Sequence, residues 1–262
     1  MYNMSMFILK NLFFALRKSV MKNFISKFLY VLKYKKISKT NIKIFPFFFK
    51  FWISEIIIKK NISFIEKKRK FYQEKYFFQD GDWFSHNIPV WEMILNKEVD
   101  HEKKAKYLEI GSWEGRSVVH ICEKFKNFQV TVVDPYMEYK EIDKFIKKQN
   151  MDETYNILKK NLKNFKERVE IYRTTSKNFF KNNQKKFSII YIDGSHKAED
   201  VEDDFLNSLK ILEDGGLIIL DDFTWNHYEN ICDNPIGGIL PVLEKNENLR
   251  IVSASNQLII KN

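Results

Sequence analysis

The sequence predicts an α/β fold: a doubly wound, mostly parallel sheet of seven strands, with an antiparallel hairpin at its C-terminal end and a basic helical arm at its N-terminus. Three observations lead to this prediction. From about residue 76, short apolar runs alternate with segments of helical periodicity, which is typical of parallel strands connected by helices. Several of these runs end in an acidic residue. The last two runs are too close together for a helical connection, so we expect them to form a hairpin.

The elements follow in order along the chain. Each predicted strand is a short apolar run, and each predicted helix repeats its apolar residues every three to four positions. In the last helix Val201, Phe205 and Leu209 share the inward face, and Gly215-Gly216 is expected to end the segment. The predicted strands are 106–110, 129–133, 169–172, 187–192, 217–220, 250–254 and 257–260, and the predicted helices are 117–125, 152–165 and 198–212.

A basic region precedes this pattern. The chain of 262 residues carries 44 Lys and Arg against 34 Asp and Glu, a net charge of +10. Residues 1–75 hold 18 of the basic and 3 of the acidic residues, a net charge of +15, which leaves −5 for residues 76–262. We therefore expect two parts, a basic, aromatic-rich helical arm over 1–75 and an α/β domain over 76–262.

The arm has the pattern of an amphipathic helix over residues 6–33. Leu9, Val20 and Phe24 fall on one face, and lysines fall mainly on the other. Such a helix can pack on its own domain or on a partner subunit of a homo-oligomer. Alternatively, it can lie on a membrane surface that contains anionic lipid. The aromatic and basic stretch from Ile44 to Lys70 allows the same two interpretations.

The cysteine content and the hydropathy of the sequence indicate where in the cell the protein is located. Cys122 and Cys232 are the two cysteines, so neither a disulfide framework nor a zinc site is expected, and a reducing cytoplasm fits best. The strongest apolar run, 44–58, contains Lys50 and Glu55 and is shorter than the roughly 20 apolar residues that a spanning helix needs. We expect no transmembrane segment and no secretory signal, hence a cytoplasmic protein that is either free or attached to a membrane surface.

Acidic residues mark the carboxyl ends of the predicted parallel strands, where ligands of such sheets bind. After the first strand, Gly111 and Gly115 have the spacing G-x-x-x-G at the start of a helix. Glycines at these positions allow a tight turn and a close approach to a ligand. The spacing differs from G-x-G-x-x-G, which disfavours a hydride-transferring dinucleotide enzyme. The acids are Glu109, Asp134, Asp193, Asp221 and Asp222.

This end of the sheet resembles the class I S-adenosylmethionine-dependent methyltransferases. The resemblance rests on E-x-G-x-x-x-G at 109–115 and on Val132-Val133-Asp134. In that family the loop surrounds the methionine part of the cofactor and the acid binds its ribose. The resemblance implies a Rossmann-like methyltransferase domain over 76–262 with S-adenosylmethionine as cofactor. The implied cofactor-binding residues are Glu109, Gly111, Ser112, Gly115 and Asp134, with Thr175 or Ser176 near the adenine.

A second polar cluster follows the fourth and fifth strands. Asp193 opens the segment D-G-S-H, and Asp221-Asp222 ends the next apolar run. Neighbouring strands would bring these three carboxylates together, and a hard cation such as Mg²⁺ would compensate their repulsion. A bound metal lowers the pKa of a substrate hydroxyl. His196 is the predicted general base that takes the proton, with Asp193 as the second catalytic residue.

The second cluster resembles the metal-dependent catechol-type and macrolide-sugar O-methyltransferases. The pattern is D-G-x-H followed by G-G-x-x-x-x-D-D. Catechol-type enzymes usually have Lys in the place of His196 and Asn in the place of Asp222, so the macrolide-sugar type matches better. The resemblance implies metal ligands at Asp193, Asp221 and Asp222 and a small-molecule or saccharide acceptor. The [N/D]-P-P-[Y/F] segment of nucleic-acid amino-methylating enzymes is missing after the fourth strand, so no nucleic-acid partner is expected.

Other interpretations of the same residues stay open. Asp193 or Asp222 can instead cap the helix that follows, and Gly111 and Gly115 can be turn glycines alone. The chain would then be a metal-independent methyltransferase, or a non-catalytic, membrane-associated binding protein with a methyltransferase-like fold.

Three further groups of residues have weaker signals. His227 and Tyr228 are candidates for substrate contact. The segment 82–87, rich in aromatic and polar residues, can close over the cleft or anchor the arm. Asp203 and Asp204 are expected on a solvent-exposed helix face without a functional role.

Overall fold

The computed structural model describes residues 18–100, 104–137 and 150–262, which contain a seven-stranded sheet and nine α-helices. The strands are β1 Ala105–Ile110, β2 Phe128–Val133, β3 Val169–Tyr172, β4 Phe187–Ile192, β5 Leu212–Leu220, β6 Arg250–Ala254 and β7 Leu258–Lys261. The helices are α1 Lys18–Ser38, α2 Phe45–Lys60, α3 Ile62–Lys75, α4 Ile88–Glu98, α5 Arg116–Lys124, α6 Met151–Leu162, α7 Ser176–Asn182, α8 Ala198–Ile211 and α9 Pro235–Lys245.

The strands lie in the order β3-β2-β1-β4-β5-β7-β6. Strands β1 to β5 are parallel, whereas β7 runs antiparallel to both β5 and β6. The predicted mostly parallel sheet with a C-terminal hairpin is therefore confirmed. The strand order reverses direction between β1 and β4, and at such a point a crevice opens beyond the carboxyl ends of the strands.

Hydrophobic layers cover both faces of the sheet. Successive side chains of a strand point to opposite faces, so Leu108 and Ile110 pack with α1, α2, α8 and α9, whereas Tyr107 packs with α4, α5 and α6. The central strand β4 and the second half of β5 are buried on both faces, which explains the nearly continuous apolar runs Phe187–Ile192 and 217–220.

The helices of the basic region share the core of the sheet. The rings of Phe47 and Phe51 stack on Phe223 at 5.7 and 6.2 Å, and Val20 and Phe24 are buried as the amphipathic pattern predicts. Of the helix predicted over 6–33, residues 6–17 lie outside the described residues. Nowhere in the described ranges is a helix both long and apolar enough to cross a membrane.

Two features differ from the sequence-based expectations. β5 begins at Leu212 rather than Leu217, because a bulge at Gly215 (φ 72°) continues the strand where a break was expected. Helices α4, α7 and α9 are additional. α9 contains Gly237, Gly238 and Pro241, which obscure the helical pattern. A side chain at Gly238 would clash with the Ala198 carbonyl oxygen at 2.2 Å, so this glycine lets α9 pack closely against α8.

Candidate functional site

A cleft of about 1430 Å³ opens at the carboxyl ends of β1, β2, β4 and β5. Among its described lining residues are nine Asp and Glu side chains and three Lys and Arg side chains. The cleft is thus acidic although the chain as a whole is basic, which favours a cationic ligand and disfavours a polyanion. The predicted site residues Gly111, Ser112, Asp134, Ser176, Asp193, His196, Asp221 and Asp222 all line it.

The loop after β1, residues 111–115, which we call the glycine loop, needs glycine at two positions because the chain is closely packed there. Gly111 has a φ of 80°, and a Cβ at this position would lie 2.1 Å from the Asp193 carbonyl oxygen. Gly115 has a φ of 81° at the start of α5, where a Cβ would lie 2.5 Å from Leu158 Cδ1. Only glycine adopts these conformations without strain and fits the space. Gly111 lines the cleft, whereas Gly115 is not among its lining residues.

Asp134 connects the end of β2 to this loop. Its Oδ2 accepts hydrogen bonds from the backbone N–H groups of Ser112 (2.9 Å) and Trp113 (3.1 Å), and its Oδ1 accepts one from Tyr136 N (2.9 Å). A carboxylate offers about four lone-pair sites, so one stays available for a ligand hydroxyl. Burial raises the pKa of Asp134, although the three backbone N–H groups oppose this shift.

Glu109 is not a lining residue of the cleft. It is fully buried beneath the loop, where its carboxyl group accepts hydrogen bonds from Tyr107 Oη and Ser117 Oγ, both at 2.5 Å. Burial raises the pKa of Glu109 to about 8. Its observed contacts are therefore with the protein itself.

The register of the sheet brings two predicted carboxylates together. Ile192 is paired with Leu220, so Asp193 and Asp221 follow neighbouring strands at the same level. The hydroxyl of Tyr191 is shared between them: it lies 2.9 Å from Asp193 Oδ2 and also donates toward Asp221 Oδ2. Burial, followed by mutual repulsion among these aspartates, raises the pKa of Asp193 well above its usual range and that of Asp221 to about 7.

A buried polar network supports these carboxylates from behind. Gln257 Nε2 donates to Asp221 Oδ2 at 2.8 Å, and Gln257 Oε1 accepts from Trp91 Nε1 at 2.6 Å. The Trp91 ring also packs edge-on against Tyr191, with ring centres 4.9 Å apart. Sequence reasoning did not find Gln257. A signal for Tyr191 existed, since it is two positions before Asp193 and therefore shares its face of β4.

Asp222 contacts the predicted general base. His196 Nε2 and Asp222 Oδ2 are 2.6 Å apart, and the imidazole stacks on the Trp225 ring at 4.7 Å. Asp222 has a left-handed backbone (φ 51°) in the turn after β5, and its N–H donates to Asp221 Oδ1 at 2.7 Å. These contacts fix the position of His196 at the edge of the cleft.

The donor set fits a divalent cation by its chemistry. Asp193, Asp221 and Asp222 are hard oxygen donors in one cleft, and the repulsion that raises the pKa of Asp193 and Asp221 is what a cation would relieve. Within the described ranges, however, no group of three or more His, Cys, Asp and Glu side chains converges as a metal site. Asp222 is turned toward His196 instead.

Asp204 corrects one expectation. Asp203 and Asp204 were expected on a solvated helix face, but Asp204 is buried, and both residues line the cleft. The Ser176 side chain hydrogen-bonds to Asp204, and burial raises the pKa of this aspartate to about 7. The α8 face that carries Asp204 is adjacent to α7, which the sequence pattern did not reveal. Ser176 is thus at the cleft as predicted, with an additional carboxyl partner.

Aromatic side chains line the remaining wall. Trp83 and His86 of the segment 82–87 line the cleft, and Trp83 packs against Trp113 of the glycine loop at 6.0 Å. His227 and Tyr228 also line it, and both pack on Trp225. The segment 82–87 therefore lies along the cleft, where Arg69 pairs with Asp82.

Comparisons with known proteins agree on one fold. Residues 108–223 match the family model of a methyltransferase domain. No match was found among curated protein sequences. MycE methyltransferase from the mycinamycin biosynthetic pathway, in complex with Mg, SAH and mycinamycin VI, has a TM-score of 0.53 and 13% identity over 76% of this chain and 53% of that chain.

Two further structures are similar. Another crystal form of MycE, with Mg and SAH, has a TM-score of 0.52 and 14% identity over 76% of this chain and 53% of that chain. A proposed O-methyltransferase from Klebsiella pneumoniae has a TM-score of 0.50 and 12% identity over 78% of this chain and 88% of that chain. The chain spans about half the length of the MycE chains. At sequence identities this low, the structural similarity shows a shared fold alone.

Proposed function

We propose, because residues 108–223 match the family model of a methyltransferase domain, that the chain transfers a methyl group from S-adenosylmethionine to a hydroxyl oxygen of a small molecule or saccharide. One observation carries the proposal. The glycine loop with Asp134 and the pair Asp193–Asp221 line a single acidic cleft at the point where the strand order reverses. A methyl donor and an oxygen acceptor can therefore meet there.

The donor end of the cleft is formed by Ser112, Asp134 and Ser176. The remaining lone pair of Asp134 is an acceptor for a ribose hydroxyl, and the acidic lining favours the positive sulfonium group. S-adenosylmethionine supplies an electrophilic methyl group when bound. Gly111 keeps the loop against the Asp193 backbone, and Glu109 holds it from beneath through Ser117. We propose that Gly115 and Glu109 act through this support.

His196 is the proposed general base at the acceptor end. An acceptor hydroxyl loses its proton as its oxygen attacks the methyl carbon in line with the departing sulfur. The imidazole of His196 can take that proton on Nδ1 while Nε2 keeps its contact with Asp222, or on Nε2 once that contact is exchanged. Stacking on Trp225 limits the orientation of the ring. Positioning of this kind contributes much of the rate of a methyl transfer.

Asp193, Asp221 and Asp222 are the proposed Mg²⁺ ligands. The MycE structures contain Mg, and the hard oxygen donors of this cleft suit the same ion. Bound Mg²⁺ would lower the pKa of an acceptor hydroxyl. Tyr191 and Gln257 hold Asp193 and Asp221 at their present spacing.

The aromatic wall supports a ring-shaped acceptor. Trp225, His227 and Tyr228 lie beside His196 at the acceptor end, and Trp83 lines the cleft next to the glycine loop, so that flat ring surfaces and few positive charges face the cleft. Such surfaces suit sugar or phenolic rings. They are unsuited to the phosphates of nucleic acid, which need a basic groove.

Calorimetric titration with S-adenosylmethionine tests the donor site. We expect saturable binding by the full chain, and we expect Asp134→Ala to weaken it by about tenfold or more, given one lost hydrogen bond to a charged group. Failure to bind at millimolar concentration would refute the proposal. Transfer of labelled methyl groups to a metabolite extract, with Mg²⁺ or with chelator, then identifies the acceptor. Full activity in chelator would favour the metal-independent alternative.

A further inference from the structure

Helices α1 and α2 expose a set of large apolar side chains. On α1, Ile25 is 41% and Leu29 55% exposed, and on α2, Phe45 is 70%, Phe49 41% and Ile53 45% exposed. Within each helix these residues are four positions apart, so they form one row along the helix. We call the five residues the apolar face.

The two rows lie on the same side of the helix pair. α1 and α2 are antiparallel: Lys35 near the end of α1 contacts Ile42 in the connection, whereas Phe28 in the middle of α1 packs against Phe48 at 5.2 Å. In antiparallel helices the positions that follow two contacting residues turn to the same side. Leu29 and Phe49 are those positions, so the two rows form one continuous surface.

The surroundings of the apolar face are basic. Residues 18–60 contain eleven lysines and a single acidic residue, Glu55. Glu55 is 2% exposed and its carboxylate pairs with Lys27 at 2.5 Å, so it offers no negative charge to the surface. Lys22 and Lys36, both exposed, continue the α1 row at its two ends. Lys60 continues the α2 row seven positions beyond Ile53.

We propose that the apolar face docks on an anionic lipid bilayer. The aromatic and aliphatic side chains would enter the interfacial layer, and the surrounding lysines would stay at the level of the acidic head groups. Charge argues against a second copy of the chain on this face. Two such surfaces would bring the exposed lysines beside each face, such as Lys22, Lys36 and Lys60, close to those of the other copy, and Glu55, the one acidic residue of 18–60, is buried.

The apolar face is directly connected to the cleft. Tyr30, the residue after Leu29, donates a hydrogen bond from its hydroxyl to the Trp225 carbonyl oxygen at 3.0 Å. Trp225 in turn stacks on His196. The helix that docks therefore also contacts the loop that carries Trp225 at the acceptor end of the cleft. The docking itself does not depend on the proposed methyl transfer.

Vesicle flotation with the full chain tests the docking. Vesicles consist of phosphatidylcholine alone or of phosphatidylcholine mixed with phosphatidylglycerol. We expect the chain to float with the anionic vesicles, less so at high salt, and only weakly with neutral ones. The double variant Leu29→Ser/Phe45→Ser should lower the partition coefficient by about tenfold or more. Both side chains are largely exposed, so the fold should persist, which circular dichroism checks.

A matched control is Met93→Ser/Leu206→Ser, which removes two exposed apolar side chains, 44% and 37% exposed, from α4 and α8. It should float like the unmodified chain. Equal loss in the control, or flotation of the test variant at the unmodified level, would overturn the proposal, since another part of the chain would then carry the contact. If the unmodified chain does not float and instead forms a dimer that dissociates in the Leu29→Ser/Phe45→Ser variant, the apolar face binds a second copy. That result would also overturn the proposal.

Discussion

Gln257 Nε2 donates a hydrogen bond to Asp221 Oδ2 at 2.8 Å, which connects the C-terminal hairpin to a carboxylate of the cleft. Gln257 is 1% exposed, and its amide oxygen accepts a hydrogen bond from Trp91 Nε1. Such partners fix the orientation of a ligating group and commonly change metal affinity when removed. The hairpin thus contributes to the proposed metal site without supplying a ligand.

The variant Gln257→Leu should lower the apparent affinity for Mg²⁺ by about 10- to 100-fold. The substitution leaves Asp221 without an amide donor and Trp91 Nε1 without its acceptor. The measurement is methyl transfer as a function of Mg²⁺ concentration, together with calorimetric titration of the ion. Gln79→Leu is the control, because Gln79 also bonds a carboxylate, Glu153, but is exposed and outside the cleft lining. An unchanged Mg²⁺ dependence in Gln257→Leu would contradict this role.

The variant His196→Ala should lower kcat by about 10²- to 10⁴-fold, the usual contribution of a positioned general base. Its affinity for S-adenosylmethionine should stay the same, since His196 is at the acceptor end, beside Trp225. Single-turnover methyl transfer and calorimetry separate the two quantities. If His196→Ala keeps full turnover, the proton leaves by another route and His196 is only a wall residue.

The variant Gly111→Ala should destabilise the fold by about 3 kcal/mol or more. Gly111 has a positive φ, and the added Cβ would meet the Asp193 backbone at 2.1 Å. Urea denaturation measures the loss. Gly81→Ala is the control, because its nearest neighbour would be Trp83 Nε1 at 3.4 Å, an ordinary contact. Comparable stability of the two variants would show that the loop can move away from β4.

Much of the sheet could be predicted from the sequence because its signals are local. The buried parallel strand Phe187–Ile192 is a nearly continuous apolar run, and its predicted boundaries agree with the structure. The approach of Asp193 to Asp221 could also be predicted, because both follow strands that were expected to be neighbours. The paired register of Ile192 and Leu220 confirms that reasoning.

The remaining features depend on contacts between residues that are distant in the sequence. Burial of Asp204 requires α7 to lie beside α8, and α7 is only seven residues long. The position of Gln257 beside Asp221 depends on antiparallel pairing of β7 with β5. Glu109 looked like a ligand-facing acid because it is close to the carboxyl end of a strand, yet its carboxyl group is buried and bonds Tyr107 and Ser117. No periodic pattern distinguishes these cases.

The variant Glu109→Gln should become more stable, relative to the unmodified chain, as the pH rises. Burial raises the pKa of Glu109 to about 8 in the folded state, so the folded chain binds the proton more tightly than the unfolded chain does. The stabilisation that protonated Glu109 gives the folded, unmodified chain is complete below the ordinary glutamate pKa, and it is lost as the pH rises through 8. Between pH 5 and pH 8.5 the difference in unfolding free energy should shift toward the variant by about 4 kcal/mol. Urea denaturation at both pH values measures it, with the exposed Glu170→Gln as control. A pH-independent difference would mean that Glu109 is ionised in the folded protein, with its charge compensated inside the loop.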